Sequence, residues 1–186
     1  MIDDLLSEME SRMEKAISAF RGDLMTIRTG RASPALVEKI QVEVYGGAAI
    51  PLNQTATIAA PEPNLLTIRP WDANTLPAIE KAILKSDIGL TPTNDGRIIR
   101  LAIPRLTEER RKELVKLVSK RTEEARVVIR NARRDSLQDL KAFEKEKLIT
   151  EDDFHQTRDK IQEITDQFVA RTDDIGDLKE REILDV

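Results

Sequence analysis

At 186 residues, with 40% apolar but only 3% aromatic side chains, the chain can build an aliphatic core in one or two modest domains. It has no cysteine, which excludes disulfides and thiolate metal sites, and no run approaching the ~20 apolar residues that span a membrane. The net charge of −4 averages unlike parts: residues 105–147 carry 14 basic and 9 acidic side chains and residues 148–186 carry 5 and 12, so a basic segment inside an acidic protein points to a localised anionic partner.

The first residues, Met1-Ile2-Asp3-Asp4, have neither the basic region nor the apolar stretch of a signal peptide, and the chain is expected to be soluble and cytoplasmic. Residues 2–28 place Leu5, Met9, Met13, Ile17, Phe20, Leu24 and Ile27 at alternating steps of four and three, the stripe of an amphipathic helix. Thr29-Gly30 is expected to end it. All eight prolines then fall between Pro34 and Pro104. Proline removes a backbone donor and clashes with the preceding helical turn, so the map predicts a long-helix domain interrupted by a compact insert. The two crossings, near Gly30 and Pro104, must then lie close together.

Within the insert the period changes to two. Ile40, Val42 and Val44 alternate with polar residues in a strand closed by Gly46-Gly47. Thr55–Ala60 and Leu65–Pro70 read as strands on either side of a Pro61-Glu62-Pro63-Asn64 turn. Asn74 or Thr75 is placed to cap a short helix carrying Ile79, Ala82 and Ile83. The Asn94-Asp95-Gly96 turn leads into a last strand, Ile98–Ile103.

Thr107 can cap a helix that nothing interrupts until about Lys147, and Thr150 with Glu151, Asp152 and Asp153 can start another. The stripe expected in that last helix is Phe154, Ile161, Ile164, Phe168, Ile175 and Leu178. The fold class is therefore α+β: residues 1–29 and 106–186 form an elongated antiparallel three-helix bundle, and residues 30–105 form a small inserted β/α/β domain.

A helical projection of residues 107–147 puts Leu114, Leu117, Val118, Ala125, Val128, Ile129, Ala132 and Leu140 on one side. Lys112, Lys116, Arg126, Arg130, Arg133, Arg134, Lys141 and Lys145 fall on the other, with Val127 and Leu137 as exceptions. Such a face can be simply solvated. Yet no acid lies between Arg126 and Arg134, and unpaired like charges one turn apart are mildly destabilising. Arginine suits forked contacts to phosphate, and without interleaved aromatics the fitting target is structured nucleic acid held by its backbone.

Other candidates are weak. His155 with Glu151 and Asp152 offers two or three ligands on one exposed turn, which also reads as a solvated first turn, and no metal is expected. Trp71 reads as a packing residue at a domain edge. No nucleophile–base set or phosphate loop is present, so neither catalysis nor a cofactor is expected.

The octapeptide Ile27-Arg28-Thr29-Gly30-Arg31-Ala32-Ser33-Pro34 resembles the signature of bacterial ribosome recycling factor. So do Leu106-Thr107-Glu108-Glu109-Arg110-Arg111-Lys112, Ala125-Arg126, Arg130-Asn131-Ala132-Arg133-Arg134-Asp135, Glu80-Lys81-Ala82-Ile83 and Ser86-Asp87-Ile88-Gly89-Leu90. The resemblance covers essentially the whole chain. It implies an L-shaped, two-domain translation factor that, with elongation factor G and GTP, splits the post-termination ribosome and frees the mRNA. It further implies a monomer that contacts large-subunit rRNA through Arg126, Arg130, Arg133 and Arg134, with Arg28 and Arg31 beside the first crossing; Arg133 is the strongest candidate. The hinge it implies comprises Thr29, Gly30, Arg31 and Ala32 with Ile103, Pro104, Arg105 and Leu106. Arg105 stands where the family often has a second proline, which would have narrowed the hinge's freedom. A helical adaptor for other proteins, or a general RNA-binding protein, is the alternative reading.

Overall fold

The computed structural model describes residues 1–185. In chain order its elements are α1 (Ile2–Met25), β1 (Gln41–Val44), β2 (Ala48–Pro51), β3 (Ala56–Glu62), β4 (Leu65–Pro70), α2 (Leu76–Lys85), β5 (Thr93–Asn94), β6 (Ile99–Ala102), α3 (Glu108–Lys145) and α4 (Glu151–Leu184). They fall into two compact units, Met1–Arg28 with Glu108–Asp185, and Thr29–Thr107. The class is α+β.

The first unit is a bundle of α1, α3 and α4. Its core runs through Met9, Met13, Ile17, Ile129, Leu140 and Ile161, all essentially inaccessible to solvent. Cross-helix pairs set the directions. Ser119 meets Glu180, Arg126 meets Asp173 and Arg133 meets Gln162, so α3 and α4 are antiparallel. Arg12 meets Asp135, and both Asp23 and Arg121 line one groove, which makes α1 and α3 antiparallel as well. At 38 residues α3 is roughly 57 Å long.

The α3–α4 connection is built from local rules. Lys147 adopts a left-handed conformation (φ 59°), and Leu148 N–H donates back to Phe143 O at 2.9 Å. Thr150 Oγ1 then accepts from Asp153 N–H while the Asp153 carboxylate accepts from Thr150 N–H, both at 3.1 Å, a reciprocal cap.

Three expectations for the bundle are corrected. First, α1 ends at Met25 rather than Ile27 or Arg28, because Thr26 N–H and Oγ1 both turn back to Asp23 O and tighten the last turn. Second, Leu178 is 58% exposed. The inward line of α4 passes through Thr172, Gly176 and Ile183, and Leu178 sits about 200° around the helix from Gly176. Third, Val128 is exposed, because the facing positions Ala16 and Ala19 are too short to cover it and leave an open groove between α1 and α3. Buried hydroxyls fill places that periodicity assigned to nothing: Thr122, Thr165 and Thr172 each donate to the carbonyl four residues earlier, at 2.7–2.9 Å.

The second unit packs α2 and the β1–β2 hairpin with an antiparallel sheet of order β3-β4-β6-β5 around one core, including Val42, Leu52, Leu66, Ile68, Ile79, Ile99 and Leu101. Two strands carry no signal of their own. β2 forms because Tyr45, Gly46 and Gly47 all take positive φ and fold the chain back, so the glycines turn a hairpin rather than close a lone strand. β5, two residues long, exists only by pairing with β6. β3 continues through Pro61 and Glu62 by way of a register shift, where proline is tolerated because β3 is an edge strand. Thr75 stands at the N-cap of α2 as one of the two expected candidates but makes no capping bond with its side chain; the capping carboxylate is that of Asp72, one 3-10 turn earlier, which accepts from Asn74 N–H at 2.9 Å.

The turn into β6 is organised by Asp95. Its carboxylate accepts from the N–H groups of Ile98 (2.9 Å) and Arg97 (3.0 Å) and from Arg100 Nη1 (3.0 Å), which together push its pKa from 3.8 down to about 2. A folded-state pKa below the unfolded one contributes stability that is present above about 3.8 and is lost as the pH falls towards about 2. A carboxyl NMR titration is expected to place the Asp95 midpoint near 2. A midpoint near its ordinary value would mean that the turn is not held this way.

Candidate nucleic-acid interface

The arginines singled out by sequence do share the outer side of α3, since Arg126, Arg130 and Arg134 recur every four residues and Arg133 lies beside them. Their surroundings differ sharply. Arg126 is turned onto α4: its Nε and Nη2 lie 2.6 and 2.5 Å from Asp173 Oδ1, and its Nη1 lies 2.9 Å from Glu123 Oε2. Only 29% of its side chain is exposed. Arg130 Nη1 reaches the other Glu123 oxygen at 3.0 Å.

The acid-free stretch of sequence is therefore not acid-free in space, which corrects the reading of Arg126 and Arg130 as unpaired. The Glu123 carboxyl is held below its usual range, first by the Arg126 hydrogen bond and then by Arg130. The Arg126 guanidinium is correspondingly raised by Glu123 and Asp173.

Two arginines remain available. Arg133 is half-buried and its one partner is neutral, Gln162 Oε1 at 3.3 Å. Arg134 is exposed and makes no ion pair among the described residues. Lys141, two turns further on and close to the same face, is likewise without an acid there. A mobile, unpaired cation can be given to a phosphate at no internal loss, whereas Arg126 would first have to abandon Asp173. Within the arginine cluster, the side chains free of an acid are thus the two at its C-terminal end. Glu123 could have been read from sequence, three residues before Arg126, but Asp173 could not.

Arg28 is exposed at the end of the bundle unit's first segment, and Arg31 is exposed in the sheet unit. The other crossing residues are tightly placed within the sheet unit. Ala32 N–H donates to Pro63 O and Ile103 N–H donates to Asn64 O, both at 2.7 Å, so the two passages are tied to one β3–β4 turn. Buried Gly30 has φ +75°, and a Cβ there would lie 3.1 Å from Leu106 Cγ and 3.6 Å from Pro104 O. Its role is this close approach rather than the α1 cap expected of it. Thr29 and Leu106 are half-buried, and Pro104 and Arg105 are exposed.

His155 Nε2 lies 3.6 Å from Glu151, and among the described residues no three potential ligands gather into a metal site. No helix is long and apolar enough to cross a membrane among those residues.

The family model described as ribosome recycling factor matches residues 20–184. The chain is 58% identical to the ribosome-recycling factor of Roseiflexus sp. (strain RS-1) and 55% identical to that of Carboxydothermus hydrogenoformans, over the full length of each chain. Among solved structures it is similar to a solution structure of ribosome recycling factor, with 42% identity, a TM-score of 0.77 and coverage of 100% of this chain and 98% of that one. It is also similar, at 47% identity, a TM-score of 0.65 and 99% coverage of both chains, to the T. thermophilus ribosome recycling factor in models with E. coli elongation factor G bound to the E. coli post-termination complex.

Proposed function

The chain belongs to the ribosome recycling factor family, and on that basis we propose that it is a translation factor that acts after termination with elongation factor G and GTP to separate the ribosomal subunits and release the mRNA. It is not an enzyme; nucleotide turnover is left to the partner GTPase. The observation that carries the reading is the full-length match to ribosome recycling factors, one of them in models with that partner on the post-termination complex. Its place of action is the cytoplasm, where ribosomes finish translation.

The outer face of α3 supplies the grip. Arg133 and Arg134, with Arg28 and Arg31, contact the phosphate backbone of large-subunit rRNA, and Arg130 joins them because its only acid is the exposed Glu123; Arg126 is left out because Asp173 of α4 holds it as well as Glu123. The bundle serves as a stiff strut, since its long helices share an aliphatic cluster around Met13, Ile129 and Ile161 and bury further apolar residues, Leu24, Leu114, Val118 and Ile183, beyond it. Residues 29–32 and 103–106 act as the hinge through which the sheet unit is pushed. Ala32 and Ile103, pinned to Pro63 and Asn64, mark the sheet-side limit of that bending.

Light scattering of post-termination ribosomes tests the function. Scattering is expected to fall only when this protein, elongation factor G and GTP are all present. A folded protein that produces no fall with a matched partner would remove the recycling reading.

A further inference from the structure

The chain's one tryptophan and one tyrosine both lie in the sheet unit, and both are exposed: Trp71 by 66% and Tyr45 by 77%. This corrects the expectation that Trp71 packs at a domain edge. The two residues are linked at one corner through Asp72. Tyr45 Oη donates to Asp72, the residue next to Trp71, and Trp71 Nε1 donates to Thr57 Oγ1 at 2.9 Å. Tyr45 is also held at φ 44°, a left-handed conformation that a bulky side chain adopts only when its surroundings impose it.

These bonds limit what the corner can offer. Each ring has its polar atom satisfied inside the molecule, so only apolar ring surface remains for an outside group. Both rings are also held in a set orientation, so a partner that covers them loses little side-chain freedom. Beside them lies the outer face of β3 and β4, where Thr57, Ala59 and Thr67 are small, and Arg69, opposite Thr57, makes no ion pair among the described residues. Exposed tryptophan, tyrosine and arginine together form the residue set that dominates binding energy at protein interfaces.

We propose that this corner is a docking site for a protein segment that lays aliphatic side chains on the Trp71 and Tyr45 rings and brings a lysine or arginine to Asp72. Charge decides for protein against RNA. A base-stacking platform sets its rings in a positive groove, whereas here a carboxylate follows Trp71 in the chain and holds the Tyr45 hydroxyl, and β4 supplies a single cation, Arg69. Asp72 is kept ionised by the Tyr45 hydroxyl and the Asn74 N–H, which hold its pKa below the usual range. A phosphate would be repelled there and a basic side chain attracted.

The setting of this proposal rests on the ribosome-recycling reading. Its test therefore carries a separate control. Ala73, exposed and next to Asp72, is replaced by the photoreactive residue benzoylphenylalanine in the full chain, leaving both rings and Asp72 in place. A second version carries the same residue at Arg134. Each is irradiated on post-termination ribosomes with elongation factor G and a non-hydrolysable GTP analogue.

The expected result is a protein cross-link from position 73, mapping to an aliphatic segment that contains lysine or arginine, and an rRNA cross-link from position 134. A cross-link from position 73 to rRNA overturns the proposal, as does silence there while position 134 reacts. Silence at both positions brings down the recycling reading and this proposal with it. In the same splitting assay, Trp71→Ala is expected to lower the rate about tenfold while Trp71→Phe keeps most of it. Full activity of Trp71→Ala, with the protein equally folded, also overturns the proposal.

Discussion

Replacing Gly176 by alanine is expected to destabilise the bundle by about 1–3 kcal/mol, although alanine is the better helix former by about 1 kcal/mol. The reason is a single close approach. A Cβ on Gly176 of α4 would lie 2.6 Å from Thr122 Oγ1 and 3.2 Å from Thr122 Cγ2, on a buried seam of α3. The hydroxyl cannot turn away without losing its 2.8 Å bond to Val118 O. Either the two helices separate locally, or a buried hydroxyl goes unpaired.

The same geometry predicts a rescue. Thr122→Ala removes both atoms in conflict and leaves only Cβ, 3.5 Å away and at ordinary van der Waals distance. The Thr122→Ala/Gly176→Ala double variant should therefore be at least as stable as Thr122→Ala alone, a coupling of about 1 kcal/mol or more between neighbours. In a chain of this size each kcal/mol moves the melting temperature by roughly 2–4 °C, so denaturant and thermal unfolding of the four proteins would resolve it. If Gly176→Ala alone is as stable as the parent, the α3–α4 seam is not packed as described.

The second large effect concerns binding. Changing Arg130, Arg133 and Arg134 together to glutamine is expected to weaken association with the large ribosomal subunit about a hundredfold at fixed salt, at roughly 1 kcal/mol for each charge-assisted hydrogen bond to phosphate that is removed. It should also flatten the slope of log affinity against log salt by about 2–3, since each neutralised phosphate contributes roughly 0.7–0.9. Stability should hardly change, because Arg130 and Glu123 form an exposed pair and Arg134 makes none.

Arg126→Gln is the informative comparison. It belongs to the same face in sequence but is committed to Asp173 in space, so it should cost at most about 1 kcal/mol of stability and leave the salt slope intact. Equal flattening by Arg126→Gln, or no flattening by the triple change, would refute the assignment of the outer α3 face.

The two effects separate what holds the bundle from what it presents. The seam between α3 and α4 is sealed by small residues and back-bonded hydroxyls, and its ion pairs lie along the rim. Arg133 and Arg134, left without an acid by that pairing, are the cations on which the proposed rRNA contact draws most directly. In the sheet unit the division repeats with different chemistry: aliphatic side chains fill the core, while both aromatics stay outside, fixed by hydrogen bonds that serve no core.

Much of this was determined by the sequence alone, wherever the deciding interaction spans a few residues. The confinement of proline to residues 34–104 marked the compact insert that interrupts the long helices. The stripe from Leu5 to Leu24 named the buried face of α1, and Thr150 with Asp153 announced the start of α4, because a cap and a heptad are settled within one or two turns. The motif at residues 27–34 and its companions named the family. Tertiary structure decided which of several similar residues does what. Arg126 and Arg134 look alike in sequence, and only the arrival of Asp173, 47 residues from Arg126, takes one of them out of play. Only tertiary structure set Gly176 of α4 against Thr122 of α3, and Gly30, expected to end a helix, against Leu106. β2 and β5 take their form from strands that their own residues do not specify. Local propensity acts through a residue's neighbours along the chain, whereas pairing, close approach and exposure depend on what a distant segment places opposite.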